Sequence, residues 1–278
     1  MTDKYAVIGN PISHSKSPQI HKMFAEQTGQ GISYEAIEAP LDGFAATIER
    51  LREESYKGCN VTVPFKFQAF LLATKRSERA EAARAVNTLK FDSDKVFGDN
   101  TDGIGLVTDI KCNLNFDFSN KRVLLAGAGG AAMGVLLPLL HERLKRLVIS
   151  NRTIEKAEEA VRILHPGFGE HIYNTAEFIA KSFHDLMGES FDLVINATST
   201  GLSDEMPPLL PGIFASGALA YDMMYGRDTP FMKFAREHGA AVVSDGLGML
   251  VEQAAEAFYI WRGVRPDTAP VIAALRQP

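Results

Sequence analysis

The segment Asn60-Val-Thr-Val-Pro-Phe-Lys66 combines residue types that could act on a small polar molecule. Alternate residues of a strand share a face, so the side chains of Asn60 and Thr62 point to the same side. Pro64 would then start a helix and leave Lys66 in its first turn, where an ammonium group opposes the helix dipole. A residue placed against local stability is typical of a functional site. Lys66 is therefore a candidate proton donor or acceptor, with a solvated surface lysine as the alternative.

Two serines flank Lys16 directly before a predicted helix. In an extended segment the hydroxyls of Ser15 and Ser17 point the same way, and two hydroxyls at a helix N-terminus suit a carboxylate. The alternative is a simple helix start, with Ser17 as N-cap and Pro18 at the first helical position.

Asn87 and Asp102 are two further polar candidates. Asp102 lies in Gly98-Asp-Asn-Thr-Asp-Gly103, which turn chemistry alone explains well. Asn87 lies in Ala85-Val-Asn-Thr88, where nothing in isolation assigns it a role.

The segment from Val123 to Gly134 reads as an apolar strand, a glycine-rich turn and a helix. In the pattern Gly127-x-Gly129-x-x-Ala132, the first glycine permits a tight turn and the second lets the backbone approach a pyrophosphate. The free N–H groups of the following helix would face the phosphates. A purely structural turn is the alternative, but the strand before and the helix after favour a dinucleotide site.

The next predicted strand ends in Ser150-Asn-Arg-Thr153, with Lys156 one turn further on. An NAD site usually has Asp or Glu at this strand end to hold the ribose 2′-hydroxyl. Arg152 and Thr153 stand there instead, and a guanidinium suits a 2′-phosphate that a carboxylate would repel. The pattern predicts NADP, although a capped helix start is compatible with the same residues.

A third polar strand end, Asn196-Ala-Thr-Ser-Thr-Gly201, follows the strand Phe191–Ile195. Open α/β sheets bind ligands at the carboxyl ends of their strands, so Thr198 could contact the nicotinamide side of a cofactor. A polar loop without a function is an equal alternative.

Strand and helix patterns alternate along the chain, which predicts an α/β fold. The first block comprises strands near Tyr5–Gly9, Ser33–Ile37 and Gly58–Val63 with helices between them, followed by a hairpin over 85–98. A second block begins at Arg122, and a helical stripe covers Gly248–Trp261. We expect two domains, the second a doubly wound dinucleotide-binding domain of the Rossmann type.

The chain has 278 residues, a formal net charge of −5 and two cysteines. This charge argues against a nucleic-acid surface, which is usually basic. The cysteines form no metal-ligand cluster or disulfide framework, so we expect no metal and a cytoplasmic location. No apolar stretch reaches the ~20 residues of a membrane helix.

Together these segments resemble the shikimate dehydrogenase family over essentially the full chain. The matching pieces, in order, are Gly9-Asn-Pro-Ile-x-His-Ser-Lys-Ser-Pro18, Asn60–Lys66, Ala85-Val-Asn-Thr-Leu89, Gly98–Gly103, Gly127-Ala-Gly-Gly-Ala131, Asn151-Arg-Thr153, Asn196-Ala-Thr-Ser199, Tyr221-Asp-Met223 with Tyr225, and Asp245-Gly-Leu-Gly-Met-Leu250 with Gln253. No single piece is specific, whereas nine in the right order are.

The resemblance implies a site for each substrate. Lys66 and Asp102 would form the catalytic pair, and Ser15 and Ser17 would hold the shikimate carboxylate. The residues implied around the ring hydroxyls are Asn60, Thr62, Asn87, Tyr225 and Gln253. The implied cofactor-binding residues are Glu78, Gly127, Ala128, Gly129, Gly130, Ala131, Asn151, Arg152, Thr153, Lys156, Thr198, Met223 and Gly246.

The implied reaction is the reversible reduction of 3-dehydroshikimate to shikimate with NADPH, on the route to chorismate and the aromatic amino acids. Residues 1–102, completed by C-terminal helices at 246–278, would form the substrate domain, and 103–245 the NADP domain. Oxidation would need a neutral Lys66 as base and should quicken at alkaline pH. A quinate/shikimate dehydrogenase and a non-catalytic metabolite or NADP sensor remain alternatives, and a homodimer remains open.

Two positions depart from the family pattern. Lys156 stands where a second arginine is common, which keeps the charge but removes the planar fork of donors. Thr200-Gly-Leu202 stands where Ser-Gly-Met is common.

Overall fold

The computed structural model describes residues 2–164, 177–198 and 205–277. The chain forms two compact units, one of Met1–Gly105 with Leu250–Pro278 and the other of Leu106–Met249. Each described unit contains a six-stranded sheet with helices between its strands, so the predicted α/β class is confirmed.

The first unit begins with alternating strands and helices. Its elements are β1 (Asp3–Gly9), α1 (Ser17–Thr28), β2 (Ile32–Glu38), α2 (Phe44–Glu53), β3 (Tyr56–Val61), α3 (Lys66–Leu72), β4 (Lys75–Arg76), α4 (Glu78–Ala83), β5 (Thr88–Phe91) and β6 (Val96–Asp99). The chain enters the second unit within α5 (Asp102–Thr108) and returns within α9 (Leu247–Arg262), which α10 (Ala269–Arg276) follows.

The described strands of the first sheet lie in the order β2-β1-β3-β5-β6-β4. Strands β2, β1 and β3 are parallel, whereas β5 runs antiparallel to both β3 and β6. Strand β1 is central and fully buried from Tyr5 to Gly9, as its continuous apolar run predicts. One face of the sheet packs on α2 and α3, through a cluster that includes Ile8, Leu51 and Phe65.

The helices α1, α9 and α10 form a second cluster in the first unit, which includes Phe24, Phe258 and Val271. Trp261 of α9 stacks on Tyr5 of β1 and donates a hydrogen bond to the carbonyl of Leu89, at 3.0 Å. Burial of each such large side chain contributes about 1.5–3 kcal/mol. The C-terminal helices therefore belong structurally to the sheet that begins at residue 3.

The second unit begins with a π-helical turn, Asp109–Asn113, and contains a short 3₁₀ helix, His184–Leu186. Its other elements are β7 (Arg122–Ala126), α6 (Gly130–Leu140), β8 (Arg146–Ser150), α7 (Ile154–Leu164), β9 (Glu177–Lys181), β10 (Phe191–Asn196), β11 (Phe214–Asp222), α8 (Pro230–Glu237) and β12 (Val242–Ser244).

The described strands of the second sheet are all parallel, in the order β12-β11-β10-β7-β8-β9. The chain runs outward from β7 in one direction through β8 and β9, and in the other through β10, β11 and β12. The switch point of this doubly wound sheet therefore lies between β7 and β10, where such sheets bind ligands. Helix α6 follows β7 after the glycine turn at 127–129 and begins at this point.

Several predicted details were wrong. Ser17 is not an N-cap, because α1 begins at Ser17 itself, after Lys16, without a side-chain cap. Strand β5 begins at Thr88, three residues later than the predicted hairpin arm, since α4 extends to Ala83. The short strand β4 was not predicted, and the helix α10 was expected only from the family resemblance, as one of the C-terminal helices at 246–278.

In the described part of the chain, no helix is both long enough and apolar enough to span a membrane. Residues 199–204, which include the predicted departure at Thr200-Gly-Leu202, lie outside the described residues.

Candidate active site

Lys66 and Asp102 form an ion pair in the first unit. Lys66 is the first residue of α3 and Asp102 the first residue of α5, and the distance from Nζ to Oδ2 is 2.5 Å. Their side chains are 27% and 12% exposed, so the ion pair is largely shielded from water. A charge-assisted hydrogen bond of this kind holds the ammonium group of Lys66 in a defined position.

Asn87 connects Asp102 to the sheet. Its Nδ2 donates to Oδ1 of Asp102 at 2.7 Å, and its Oδ1 accepts from the backbone N–H of Thr101 at 2.9 Å. The Thr88 hydroxyl donates to the same oxygen at 3.0 Å, and Gln253 Oε1 lies 3.4 Å from Asn87 Nδ2. Asn87, Asp102 and Gln253, which were separate candidates in the sequence, are thus brought together.

Asn60 at the end of β3 extends this arrangement. Its Nδ2 donates to the backbone carbonyl of Asn87 at 3.2 Å and to the hydroxyl of Thr88 at 3.0 Å. Its Oδ1 accepts a hydrogen bond of 2.8 Å from the hydroxyl of Tyr34 on β2. We call Tyr34, Asn60, Lys66, Asn87, Thr88, Thr101 and Asp102 the catalytic network.

Ser15 lies in the loop between β1 and α1, Ser17 is the first residue of α1, and Thr62 directly follows β3. The hydroxyl of Ser15 accepts from the backbone N–H of Ser17 at 3.3 Å, so the two serines are adjacent. Ser17 is buried, whereas Ser15 and Thr62 are half-buried. Gly9 of β1 must be glycine here, because a Cβ would lie 2.5 Å from Cγ2 of Thr62.

In the glycine turn of the second unit, one glycine is required by the protein's own structure, and two others leave space that a ligand could occupy. Gly127 has φ +116°, and a Cβ there would lie 3.0 Å from backbone atoms of Ala197, so the protein itself requires glycine. A Cβ on Gly129 or Gly130 would meet no atom of the described residues within 4 Å. Helix α6 begins at Gly130 without a side-chain cap. These positions fit a pyrophosphate, which needs free N–H groups and no side chain in its path.

Asn151 ties this turn to the end of β8. Its Oδ1 accepts from the backbone N–H of Ala128 at 3.3 Å, and its Nδ2 donates to the carbonyl of Thr153 at 2.9 Å. Arg152, Thr153 and Lys156 are exposed. The side chains of Arg152 and Lys156 form no hydrogen bond or ion pair with the described residues. Their charges are therefore available for an anionic group, and the residues present fit the phosphate of NADP.

A buried polar group joins the ends of β10 and β11. The Asp222 carboxylate accepts from Asn196 Nδ2 at 3.2 Å, from the Thr229 hydroxyl at 2.5 Å and from the backbone N–H of Met224 at 2.9 Å. Asn196 Oδ1 in turn accepts from the hydroxyl of Thr198 at 2.6 Å, which fixes the candidate Thr198.

The remaining candidates have less specific surroundings. Gly246 packs so closely on Met223 that a Cβ would lie 2.3 Å from its carbonyl oxygen. Tyr225 is half-buried, and burial raises the pKa of its hydroxyl. Glu78 is exposed at the first residue of α4. Among the described residues, no group of three or more His, Cys, Asp or Glu side chains is placed to hold a metal ion.

Residues that sequence reasoning missed are Tyr34, Thr88, Thr101 and Asp222. Three of them lie inside the motifs that carried the family resemblance, next to Asn87, Asp102 and Met223. Those motifs therefore contained the three residues but did not indicate what each one does. Tyr34 lies in a strand whose pattern indicates only its secondary structure.

The parallel sheet with its glycine turn, together with the Lys66–Asp102 pair, defines a dinucleotide-dependent oxidoreductase. A shikimate dehydrogenase (NADP(+)) of Methylobacillus flagellatus is 59% identical over 274 residues, which covers 99% of each chain. The chain belongs to the shikimate dehydrogenase family. Family models match residues 7–89 as the shikimate dehydrogenase substrate binding domain, residues 110–202 as shikimate / quinate 5-dehydrogenase, and residues 246–276 as the shikimate 5′-dehydrogenase C-terminal domain.

Solved structures have the same fold. An enzyme of Pseudomonas putida called Ael1 is 49% identical with a TM-score of 0.93, and the match covers 100% of this chain and 99% of that one. The shikimate 5-dehydrogenase of Thermus thermophilus, in complex with NADP(H) and shikimate, is 30% identical with a TM-score of 0.86 and 99% coverage of both chains.

Proposed function

We propose that this chain is an NADP-dependent shikimate dehydrogenase, which reduces 3-dehydroshikimate to shikimate and catalyses the reverse reaction. The observation that carries the proposal is the Lys66–Asp102 pair at 2.5 Å, held by the amide of Asn87. A full-length relative with this activity in its name is 59% identical, which supports the same substrate and cofactor.

Lys66 would supply the proton of the reduction. When bound, NADPH supplies the hydride. The ammonium Nζ of Lys66 donates a proton to the oxygen of the substrate ketone, and the neutral amine then regains one from solvent. Asp102 accepts a charge-assisted hydrogen bond from Nζ and so keeps it in one direction.

A set of polar side chains would hold the substrate. The hydroxyls of Ser15 and Ser17 suit a carboxylate, because they are adjacent at the start of α1. The ring hydroxyls would contact a larger set of side chains, namely Asn60, Thr62, Asn87, Tyr225 and Gln253. The shared hydrogen bonds of Asn60, Asn87 and Gln253 support this grouping.

A second set of residues would hold the nucleotide. Backbone groups at Gly127, Ala128, Gly129, Gly130 and Ala131 would face the pyrophosphate, and Asn151 would keep that turn in place. Arg152, Thr153 and Lys156 would bind the 2′-phosphate, while Glu78, Thr198, Met223 and Gly246 would lie along the rest of the cofactor. The exposed, unbonded charges of Arg152 and Lys156 support the phosphate assignment.

We assign residues 1–102 and 246–278 to the substrate domain and 103–245 to the NADP domain. The two compact units, which divide the chain at Gly105 and Leu250, support this assignment. A cytoplasmic location belongs to the same proposal, because Cys59 and Cys112 are unpaired thiols.

An oxidation assay that crosses two substrates with two cofactors tests this function. Purified protein would be given shikimate or quinate, each with NADP⁺ or NAD⁺, and nucleotide reduction followed by absorbance. The proposal expects the highest kcat/KM for shikimate with NADP⁺. Equal or better turnover of quinate with NAD⁺ would instead support the quinate branch named by the model that matches residues 110–202.

A further inference from the structure

Tyr34 on β2 is bound to the substrate site through its hydroxyl group, which interacts with Asn60 and also with Ser17. Its hydroxyl donates to Oδ1 of Asn60 at 2.8 Å. Its ring stacks on His21, with centroids 4.1 Å apart and an interplanar angle of 10°. Tyr34 as a whole is half-buried, and burial of its hydroxyl holds the pKa of Tyr34 well above its usual range. The hydroxyl therefore stays protonated and able to donate.

The orientation of the Asn60 amide follows from one backbone group. The carbonyl of Asn87 can only accept, so the atom of Asn60 that faces it must be Nδ2. The second N–H of that nitrogen is used by the hydroxyl of Thr88. Oδ1 then faces Tyr34, which must be the donor.

His21 packs against the ring of Tyr34 and forms no side-chain hydrogen bond with the described residues. Neither of its ring nitrogens has a partner among the described residues. Burial lowers the pKa of His21 to about 3, an effect that the nearby Asn60 amide opposes only in part. The neutral ring serves as the stacking surface that fixes the ring of Tyr34.

From Asn60 the hydrogen bonds continue in one direction to Asp102, which also accepts from Nζ of Lys66. Thr88 accepts from Asn60 and donates to Oδ1 of Asn87, whose Nδ2 donates to Asp102. The backbone N–H of Thr101 fixes the second amide, because it can only donate to Asn87 Oδ1. The Tyr34 and Thr88 hydroxyls and the two asparagine amides thus each have a defined donor and acceptor role.

We propose that Tyr34 is a positioning residue of the substrate site. Asn87 and Thr88 engage both N–H groups of Asn60, and Tyr34 holds its Oδ1 in place, so that the amide can only accept a hydrogen bond from a substrate hydroxyl. Both N–H groups of Asn60 are already committed, and Tyr34 uses one lone pair of Oδ1. The remaining lone pair of Oδ1 is the one position at which the Asn60 amide can bind a substrate hydroxyl. This inference rests on the proposed shikimate dehydrogenase function.

The substitution Tyr34→Phe tests the proposal, since it keeps the stacked ring and removes the hydroxyl. Loss of one hydrogen bond to a binding residue should lower kcat/KM for shikimate about tenfold, mainly through KM. The KM for NADP⁺ should stay unchanged. In an Asn60→Ala background the same substitution should have a clearly smaller effect on kcat/KM, because Tyr34 acts mainly through Asn60 and only its contact with Ser17 remains.

Tyr5→Phe is the matched control. Tyr5 lies opposite Tyr34 in the register of the neighbouring strand and also stacks on an aromatic ring, Trp261. Its hydroxyl contacts Arg262 at 3.5 Å and lies outside the catalytic network. Tyr5→Phe should keep the wild-type kcat/KM, and thermal unfolding of both variants checks that each is folded.

A second readout does not depend on turnover. The side-chain ¹⁵N amide signal of Asn60, identified by its absence in Asn60→Ala, should shift in substrate-free Tyr34→Phe and not in Tyr5→Phe. An unmoved signal, or an equal loss of kcat/KM in both backgrounds, would overturn the positioning role. If Tyr34→Phe does not fold, Thr88→Val breaks the next hydrogen bond and must shift the same signal. A wild-type protein inactive on shikimate would overturn the proposed function instead, while the amide signal still decides the role of Tyr34.

Discussion

The two functional regions of this molecule treat their polar side chains in opposite ways. In the catalytic network of the first unit, Asn60, Asn87 and Asp102 are bonded to neighbouring protein groups. At the end of β8 in the second unit, the side chains of Arg152 and Lys156 are exposed and form no hydrogen bond or ion pair with the described residues. A network that is complete before the substrate arrives orients the reacting groups, whereas free charges contribute mainly when a ligand binds.

The comparison predicts that changes in the network alter kcat and that changes at the β8 end alter affinity for the nucleotide. Lys66→Ala should have the largest effect, because it removes the proton donor and should lower kcat by about 10²–10⁴-fold. The dissociation constant of NADP⁺, measured by calorimetry, should not change. Lys75→Ala, at an exposed lysine on β4, is the control. A loss of kcat below about tenfold would remove Lys66 from its catalytic role.

Arg152→Ala should act on the nucleotide alone. Loss of charge-assisted hydrogen bonds to a 2′-phosphate should lower kcat/KM for NADP⁺ by about 10–100-fold. The value for NAD⁺ should stay within about twofold, since NAD⁺ lacks that phosphate. Arg162→Ala, at another exposed arginine on α7, is the control. An unchanged ratio between the two nucleotides would contradict the phosphate assignment.

The glycine turn contains one glycine required for folding, Gly127, and one expected to be required for nucleotide binding, Gly129, so substitutions can test the two requirements separately. Gly127→Ala should lower the free energy of unfolding by about 1–3 kcal/mol, because its φ of +116° strains a side chain. Gly129→Ala should leave the unfolding temperature unchanged and weaken NADP⁺ binding about tenfold, because its Cβ would meet the ligand and not the protein. Thermal unfolding and calorimetry on both variants measure the difference. Equal destabilisation by the two substitutions would show that both glycines are structural.

Lys156→Arg should have the smallest effect. A planar guanidinium adds forked donation to the charge already present, so the preference for NADP⁺ over NAD⁺ should rise by about two- to fivefold. Steady-state kinetics with both nucleotides measures this preference, and a fall in it would mean that Lys156 does not face the phosphate.

The sequence predicted the second region better than the first. The glycine turn and the Arg152 strand end are local patterns, and each position has a meaning set by the strand before it and the helix after it. The hydrogen bonds of the catalytic network join β2, β3, β5 and α5, so no local pattern contains them. Spacing alone left Asn87 and Asp102 undecided, and the family resemblance was needed to group them.

Ser17 and Tyr34 show the same limit at single residues. Ser17 fits the rule for an N-cap, yet the helix begins at Ser17 itself and its backbone N–H is bonded to Ser15. Tyr34 has the pattern of an ordinary strand residue, and its role depends on the pairing of β2 with β1 and on the packing of α1. Tertiary packing decides both cases, and it cannot be read from neighbouring residues.

The most direct test of the central claim is the reduction of 3-dehydroshikimate by the purified wild-type chain with NADPH. Loss of NADPH absorbance and formation of shikimate, quantified by chromatography, would be followed in the same reaction. The account predicts one shikimate formed for each NADPH oxidised, at a higher kcat/KM than with NADH. Binding of both ligands without turnover would contradict it and would identify the protein as a non-catalytic sensor.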